Sequence, residues 1–319
     1  MKLYIIGNGF DIHHKLDTYY TTFGLFLKDN NREVFELLVE HFGFSDLDPS
    51  NENSISDPLW SNFEHNLSLL DTVTVLEAFE DYLPDYSSDD FRDRDRYSFE
   101  IEMERVLDQL TTDLYACFKN FILSVRLATL EPKLAVNLDH EALYLTFNYT
   151  NTLNHYYGIS DDNVLFIHEK AQEDEIELVL GHGVDPKNFE EQLAVPPAEL
   201  SEEEYDEWCQ YQADQYDYSY QRGKDMINRY FTTTFKGTGK IIDMNSKFFD
   251  SLSNVEEVLI LGHSLADVDL PYFRKIVSSI NPNIKWTVSY HVDEDRLKHL
   301  AKLKSIGVLD AVASRIENI

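Results

Sequence analysis

The chain has 319 residues, 43% hydrophobic and 13% aromatic, which is enough for a large core and too apolar for a disordered chain. Its 27 Lys and Arg stand against 58 Asp and Glu, a formal charge of -31 that repels phosphate backbones and anionic lipid heads, so no nucleic-acid and no membrane partner is expected. Cys117 and Cys209 lie far apart with no CxxC or Cys/His spacing, so no metal is expected and a reducing compartment fits.

The N-terminus opens on a strand-like run, residues 3–6, without the basic start and small-residue cleavage site of a signal peptide, and no apolar stretch reaches membrane-spanning length. A cytoplasmic location is the expectation. Further strand-like runs follow at 142–147, 164–167, 177–180, 255–261 and 286–290. They lack clean alternation, as expected where helices cover both faces of a sheet. Thr18 is placed to cap a helix through Phe26, and Asp269 to cap one over 270–280. Strand, turn, helix, strand predicts an α/β, Rossmann-like fold: a mostly parallel open sheet with helices on both faces.

Two intervals are too long for crossover connections, so a single domain over 1–319 with large helical insertions is expected. The first insertion spans about 31–135, with helical periodicity at Val34, Phe35, Leu37, Leu38 and Phe42 and again from Met103 to Ile122. Within it, 85–96 is charge-rich and reads as a mobile loop. The second spans about 187–250 and is acidic and Tyr-rich over 190–230; its Tyr205, Tyr211, Tyr216, Tyr218 and Tyr220 suit helix-to-helix packing better than stacking on a base.

Polar loops close the strand-like runs. Gly7-Asn8-Gly9-Phe10-Asp11 offers glycines for close approach and N–H groups at a helix start, or is a tight turn with Asp11 as cap. Asn148, directly after the second run, can hold a ribose hydroxyl or a water, or support a turn while Thr150 caps the next helix. His168 leaves a buried run as a general base or as a satisfied structural histidine. Gly181-His182-Gly183 and Gly262-His263-Ser264 repeat the theme. In a parallel sheet all these ends share one edge, so one nucleotide-sized crevice is expected there.

At these residues the chain resembles the bacteriophage abortive-infection AbiH family. The likeness runs through IIGNGFD at 5–11, LDTYYTTF at 16–23, WSNFE at 60–64, FNYTNTL at 147–153, FIH at 166–168, LGHG at 180–183 and LGHSLADVD at 261–269. More distantly the set is similar to the sirtuin-like NAD-binding fold. That likeness implies NAD as substrate or ligand and cleavage of its nicotinamide–ribose bond, a NADase acting as an anti-phage toxin. It implies Asn148 and His168 as catalytic residues. Gly7, Asn8, Gly9, Asp11, Gly181, His182, Gly262, His263 and Ser264 would contact the cofactor. The alternative is a nucleotide-binding sensor of a defence system without turnover. A phage-derived trigger, a defence-system partner protein and self-association are left open. Two departures stand out: the family pattern Ile-His-Gly reads Ile167-His168-Glu169 here, and Thr150 stands where the sirtuin-like pattern has Asp.

Overall fold

The computed structural model describes residues 1–50, 57–191 and 194–319; within the two insertions, residues 51–56 and 192–193 lie outside the described residues. Six strands form one all-parallel sheet: β1 (Lys2–Ile6), β2 (Leu143–Thr146), β3 (Val164–Phe166), β4 (Glu257–Leu261), β5 (Lys285–Tyr290) and β6 (Ala311–Arg315). Their order is β3-β2-β1-β4-β5-β6, so the winding direction reverses between β1 and β4, the crevice position of an open α/β sheet. The fold is Rossmann-like.

Alternation along each strand explains why both faces are apolar. Leu3 and Ile5 pack with Phe249, Phe273 and Ile276, while Tyr4 and Ile6 pack on the other face with Phe10, Leu153 and Ile316. The register sets Ile6 beside Thr146 and Leu261, and Thr146 beside Phe166. Four strands therefore end level, and the residues just past them form one row along the carboxyl edge.

The helical segments between β1 and β2 and between β3 and β4, although far apart in sequence, share one core. Phe23, Trp60, Phe63, Met103 and Phe118 from the first pack with Ile227, Tyr230 and Phe231 from the second. The helix Tyr218–Thr233 lies on Ser98–Asp108, held by the Arg222 guanidinium on both oxygens of Glu100 at 2.5 and 2.6 Å. The chain stays helical from Ser98 to Ser124 through a π turn at Gln109–Asp113. Tyr149 and Leu180 also enter this core, which ties the helical body to the strand ends.

Several expectations need correction. Residues 177–180 are extended chain rather than a strand; Val179 N–H reaches His168 O at 3.0 Å, but no ladder forms. The half-exposed edge strand β6 was not anticipated. Thr18 is not a cap: the helix begins at Tyr20 behind Tyr19, and the Thr18 hydroxyl donates to Asn8 Oδ1 at 2.6 Å. Thr150 donates to Asp11 instead of capping Thr152–Tyr157. Asp269 occupies the cap position of Leu270–Ser279, yet its carboxylate makes no capping bond. Tyr220 stacks on Phe99, whereas Tyr205, Tyr211, Tyr216 and Tyr218 are exposed, not packed between helices. In the charge-rich stretch 85–96, the Tyr86 hydroxyl bonds that of Ser219 at 2.7 Å, and a 3₁₀ turn begins at Asp93. Among the described residues no helix is long and apolar enough to cross a membrane.

Candidate functional site

The turns after β1 and β4 are built against each other. Gly7 N–H donates to Leu261 O at 3.0 Å, Gly9 N–H to Gly262 O at 2.7 Å and Phe10 N–H to Gly7 O at 2.8 Å. A Cβ on Gly262, whose φ is +67°, would lie 2.0 Å from Phe10 N, and one on Gly7 would lie 2.6 Å from the His263 Cα. The glycines thus let two backbones touch, and the N–H groups of Gly9 and Phe10 are already engaged. Asn8 is likewise committed, its amide bonded to Thr18 through both polar atoms. Ser264 is exposed on the rim.

Beside this junction lies a small polar cavity of about 40 Å³, lined by Asn8, Asp11, Thr18, Tyr20, Asn148 and Thr150 with Phe147 and Tyr149. Asp11 is 1% and Asn148 6% exposed. Thr150 Oγ1 donates to Asp11 Oδ2 at 2.6 Å, but Asp11 Oδ1 and both polar atoms of the Asn148 side chain have no partner. Burial outweighs the opposing pull of the polar Thr150, Thr152 and Asn148 side chains nearby and pushes the Asp11 carboxyl up to about 6. An unpaired buried amide costs roughly 1–3 kcal/mol, so these atoms are open to polar groups entering the cavity, which has room for water.

A second, charged cluster adjoins the cavity behind Phe147 and Tyr149. Lys236, its side chain fully buried, places Nζ 2.6 Å from Glu64 Oε2 and 3.5 Å from both Asp269 Oδ1 and His168 Nδ1. His168 Nε2 is 3.8 Å and His263 Nε2 3.5 Å from Asp269. His168 Nε2, Asp269 Oδ1 and the Tyr272 hydroxyl lack hydrogen-bond partners. Burial first, then the Lys236 charge, hold His168 well below its ordinary range and His263 at about 3, so both rings are neutral. Burial raises the Asp269 carboxyl against the pull of Lys236.

The sequence motifs therefore fall into two compartments instead of one crevice: the loops after β1 and β2 line the cavity, and His168 and His263 face the cluster. Gly181 and His182 line neither. His182 N–H donates to Thr234 O at 3.0 Å and its carbonyl accepts from Lys236 N–H at 2.8 Å, so this motif anchors the backbone of Lys236. Lys236 itself carries no pattern a sequence reading would select. Glu64 belongs to a noted motif without an assigned role, and Asp269 reads as a helix cap; only their shared position at the sheet edge unites them.

The family model described as "Bacteriophage abortive infection AbiH" matches residues 3–290. The chain belongs to the AbiH family. No curated protein and no solved structure matches it. The AbiH match takes in both compartments, from the β1 turn through Glu64, Asn148, His168 and Lys236 to Asp269.

Proposed function

We propose that this AbiH protein is an abortive-infection effector that grips a nucleotide, NAD first among them, by its ribose at Asp11 and Asn148 and hydrolyses the nicotinamide–ribose bond. The observation that carries the reading is the buried Asn148 amide, unpartnered at both polar atoms and next to the free Oδ1 of Asp11, at the carboxyl edge of a parallel sheet. A donor, an acceptor and a carboxylate so arranged suit the adjacent hydroxyls of a sugar. NAD supplies a leaving group that departs as a neutral ring.

The chain's own residues would act as follows. Asn148 orients the ribose or the attacking water. Asp11, poised near 6, is ionised at neutral pH, where it offsets positive charge developing on the sugar ring and accepts the proton that water loses. The engaged N–H groups of Gly9 and Phe10 leave the glycine turn as a scaffold for Asn8 and Asp11, not a phosphate cradle. Glu169, exposed, keeps its carboxylate outside the buried compartments.

A second reading, a nucleotide sensor without turnover, is favoured by one observation: His168 stands behind Phe147 and Tyr149 and is not in the cavity wall. Incubating purified protein with NAD and measuring free nicotinamide separates the two. Release that depends on Asn148 and Asp11 supports the hydrolase; tight NAD binding with no release supports the sensor.

A further inference from the structure

Glu64 is a hub for three donors from three separate parts of the chain. Its Oε1 accepts the Tyr20 hydroxyl at 2.6 Å and the Tyr149 hydroxyl at 3.2 Å, and its Oε2 accepts Lys236 Nζ at 2.6 Å. Tyr20 and Tyr149 line the cavity, while Lys236 belongs to the charged cluster. Glu64 thereby fixes the partition between the compartments. The rings of Phe147 and Tyr149 stand 5.2 and 5.9 Å from that of His168, and unpartnered polar atoms lie on both sides of them.

Two physical facts argue that this closed arrangement is one of two states. A cavity of about 40 Å³ holds a water or two, whereas sites for ligands of nucleotide size take hundreds of Å³. A buried ion pair is a poor stabiliser, because desolvation of both charges offsets their attraction; apolar residues of the same size would hold a permanent wall as well or better. A pair whose two charges both regain water on opening is therefore a contact that can release.

We propose that Glu64 and Lys236 form the latch of a gate. Closed, it holds Tyr149 and Phe147 between the Asp11–Asn148 cavity and the His168–Asp269 cluster. Released, it joins the two into one crevice that admits a nucleotide and brings His168 to it. The need for opening rests on the reading given under Proposed function, since a cavity this small must widen only for a ligand of nucleotide size; the place of the latch rests on the geometry.

The test uses the full chain and two variants. Glu64→Gln/Lys236→Met removes both charges of the latch together, although Asp269 then also loses the Lys236 cation beside it. Tyr149→Phe keeps the ring and deletes the hydroxyl, which reaches Glu64 at 3.2 Å and Val179 O at 2.9 Å. Histidine labelling by diethyl pyrocarbonate, mapped by mass spectrometry, reads access to His168 against the exposed His155, with thermal unfolding as the control for fold. The gate predicts an unreactive His168 in the wild-type protein and labelling raised roughly tenfold or more in either folded variant, as local opening requires. Unchanged labelling in folded variants overturns it, and Tyr149→Phe decides alone if the double variant does not fold. Labelling that rises while no nicotinamide is ever released upholds the gate and removes NAD hydrolysis; nicotinamide release that rises with labelling unchanged does the reverse.

Discussion

Gly9 N–H donates to Gly262 O across 2.7 Å, and through that bond the turn after β1 and the turn after β4 become one structure. The strand order reverses at this point, where two neighbouring chains diverge to opposite sides of the sheet. Backbone contact there leaves no space for a Cβ. It also fixes where α-helical residues Asn8 and Asp11 begin, and so places Asp11 beside Asn148.

Gly262→Ala should therefore be strongly destabilising. The new Cβ would sit 2.0 Å from Phe10 N at a φ of +67°, combining a backbone clash with left-handed strain. A loss on the order of 3 kcal/mol or more is expected, seen as a lower midpoint in urea with the slope unchanged. A variant as stable as wild type would show that the two turns separate easily.

Much of this edge was legible in the sequence, and the reason is local. Five short apolar runs became strands because β-branched and aromatic residues bounded by glycine and polar turns need no distant information. The run at 177–180 shows the limit: it has strand-like residues, but His168 O and the helical body use its polar groups instead of a ladder. Strand β6 was hidden because its residues, Ala-Val-Ala-Ser-Arg, form no long apolar run and the edge strand stays half-exposed. Lys236 was invisible for a different reason. Its burial depends on Glu64 and Asp269, which lie far away in the chain and meet only when both helical insertions close into one core.

Glu169 gives a prediction about stability alone. It is exposed and sits at a φ of +66°, in the left-handed region that favours glycine. The left-handed region costs a residue with a Cβ roughly 1–2 kcal/mol, partly offset by glycine's greater freedom in the unfolded chain. Glu169→Gly should raise stability by about 0.5–1 kcal/mol, a shift of a degree or more in thermal midpoint. A lower midpoint would mean that the Glu169 side chain makes a stabilising contact that outweighs the strain.

Asp11 ties stability to pH. Its carboxyl is raised from 3.8 to about 6, so in that interval the folded protein binds more protons than the unfolded chain. Stability from this group is full below the unfolded value and falls as pH rises through the folded one, by about 3 kcal/mol in total. Asp11→Asn keeps an acceptor for Thr150 and removes the ionisation. The variant should gain most over wild type above pH 6 and nothing near pH 4. Denaturation curves at the two pH values check this, and an equal gain at both would show that Asp11 does not titrate in the folded state.

Asn148 separates stability from function most cleanly. Its side chain is buried, yet neither polar atom has a hydrogen-bond partner, so Asn148→Ala breaks no bond of that side chain. The backbone N–H still reaches Thr146 Oγ1 at 3.1 Å, which preserves the turn after β2. Loss of side-chain contacts and relief of the unpaired amide oppose each other, leaving a stability change within about 1 kcal/mol. Binding should respond differently, because the deleted groups are the ones left free to meet a ligand. If the ribose is held here, nicotinamide release should drop roughly 10²–10⁴-fold with an unchanged unfolding midpoint. Asn148→Asp, which keeps the size and the acceptor but adds a carboxyl to the small buried cavity that already holds Asp11, should lose release and stability together, since two buried carboxylates cannot both ionise there. Full activity in Asn148→Ala would place the ligand elsewhere on the sheet edge.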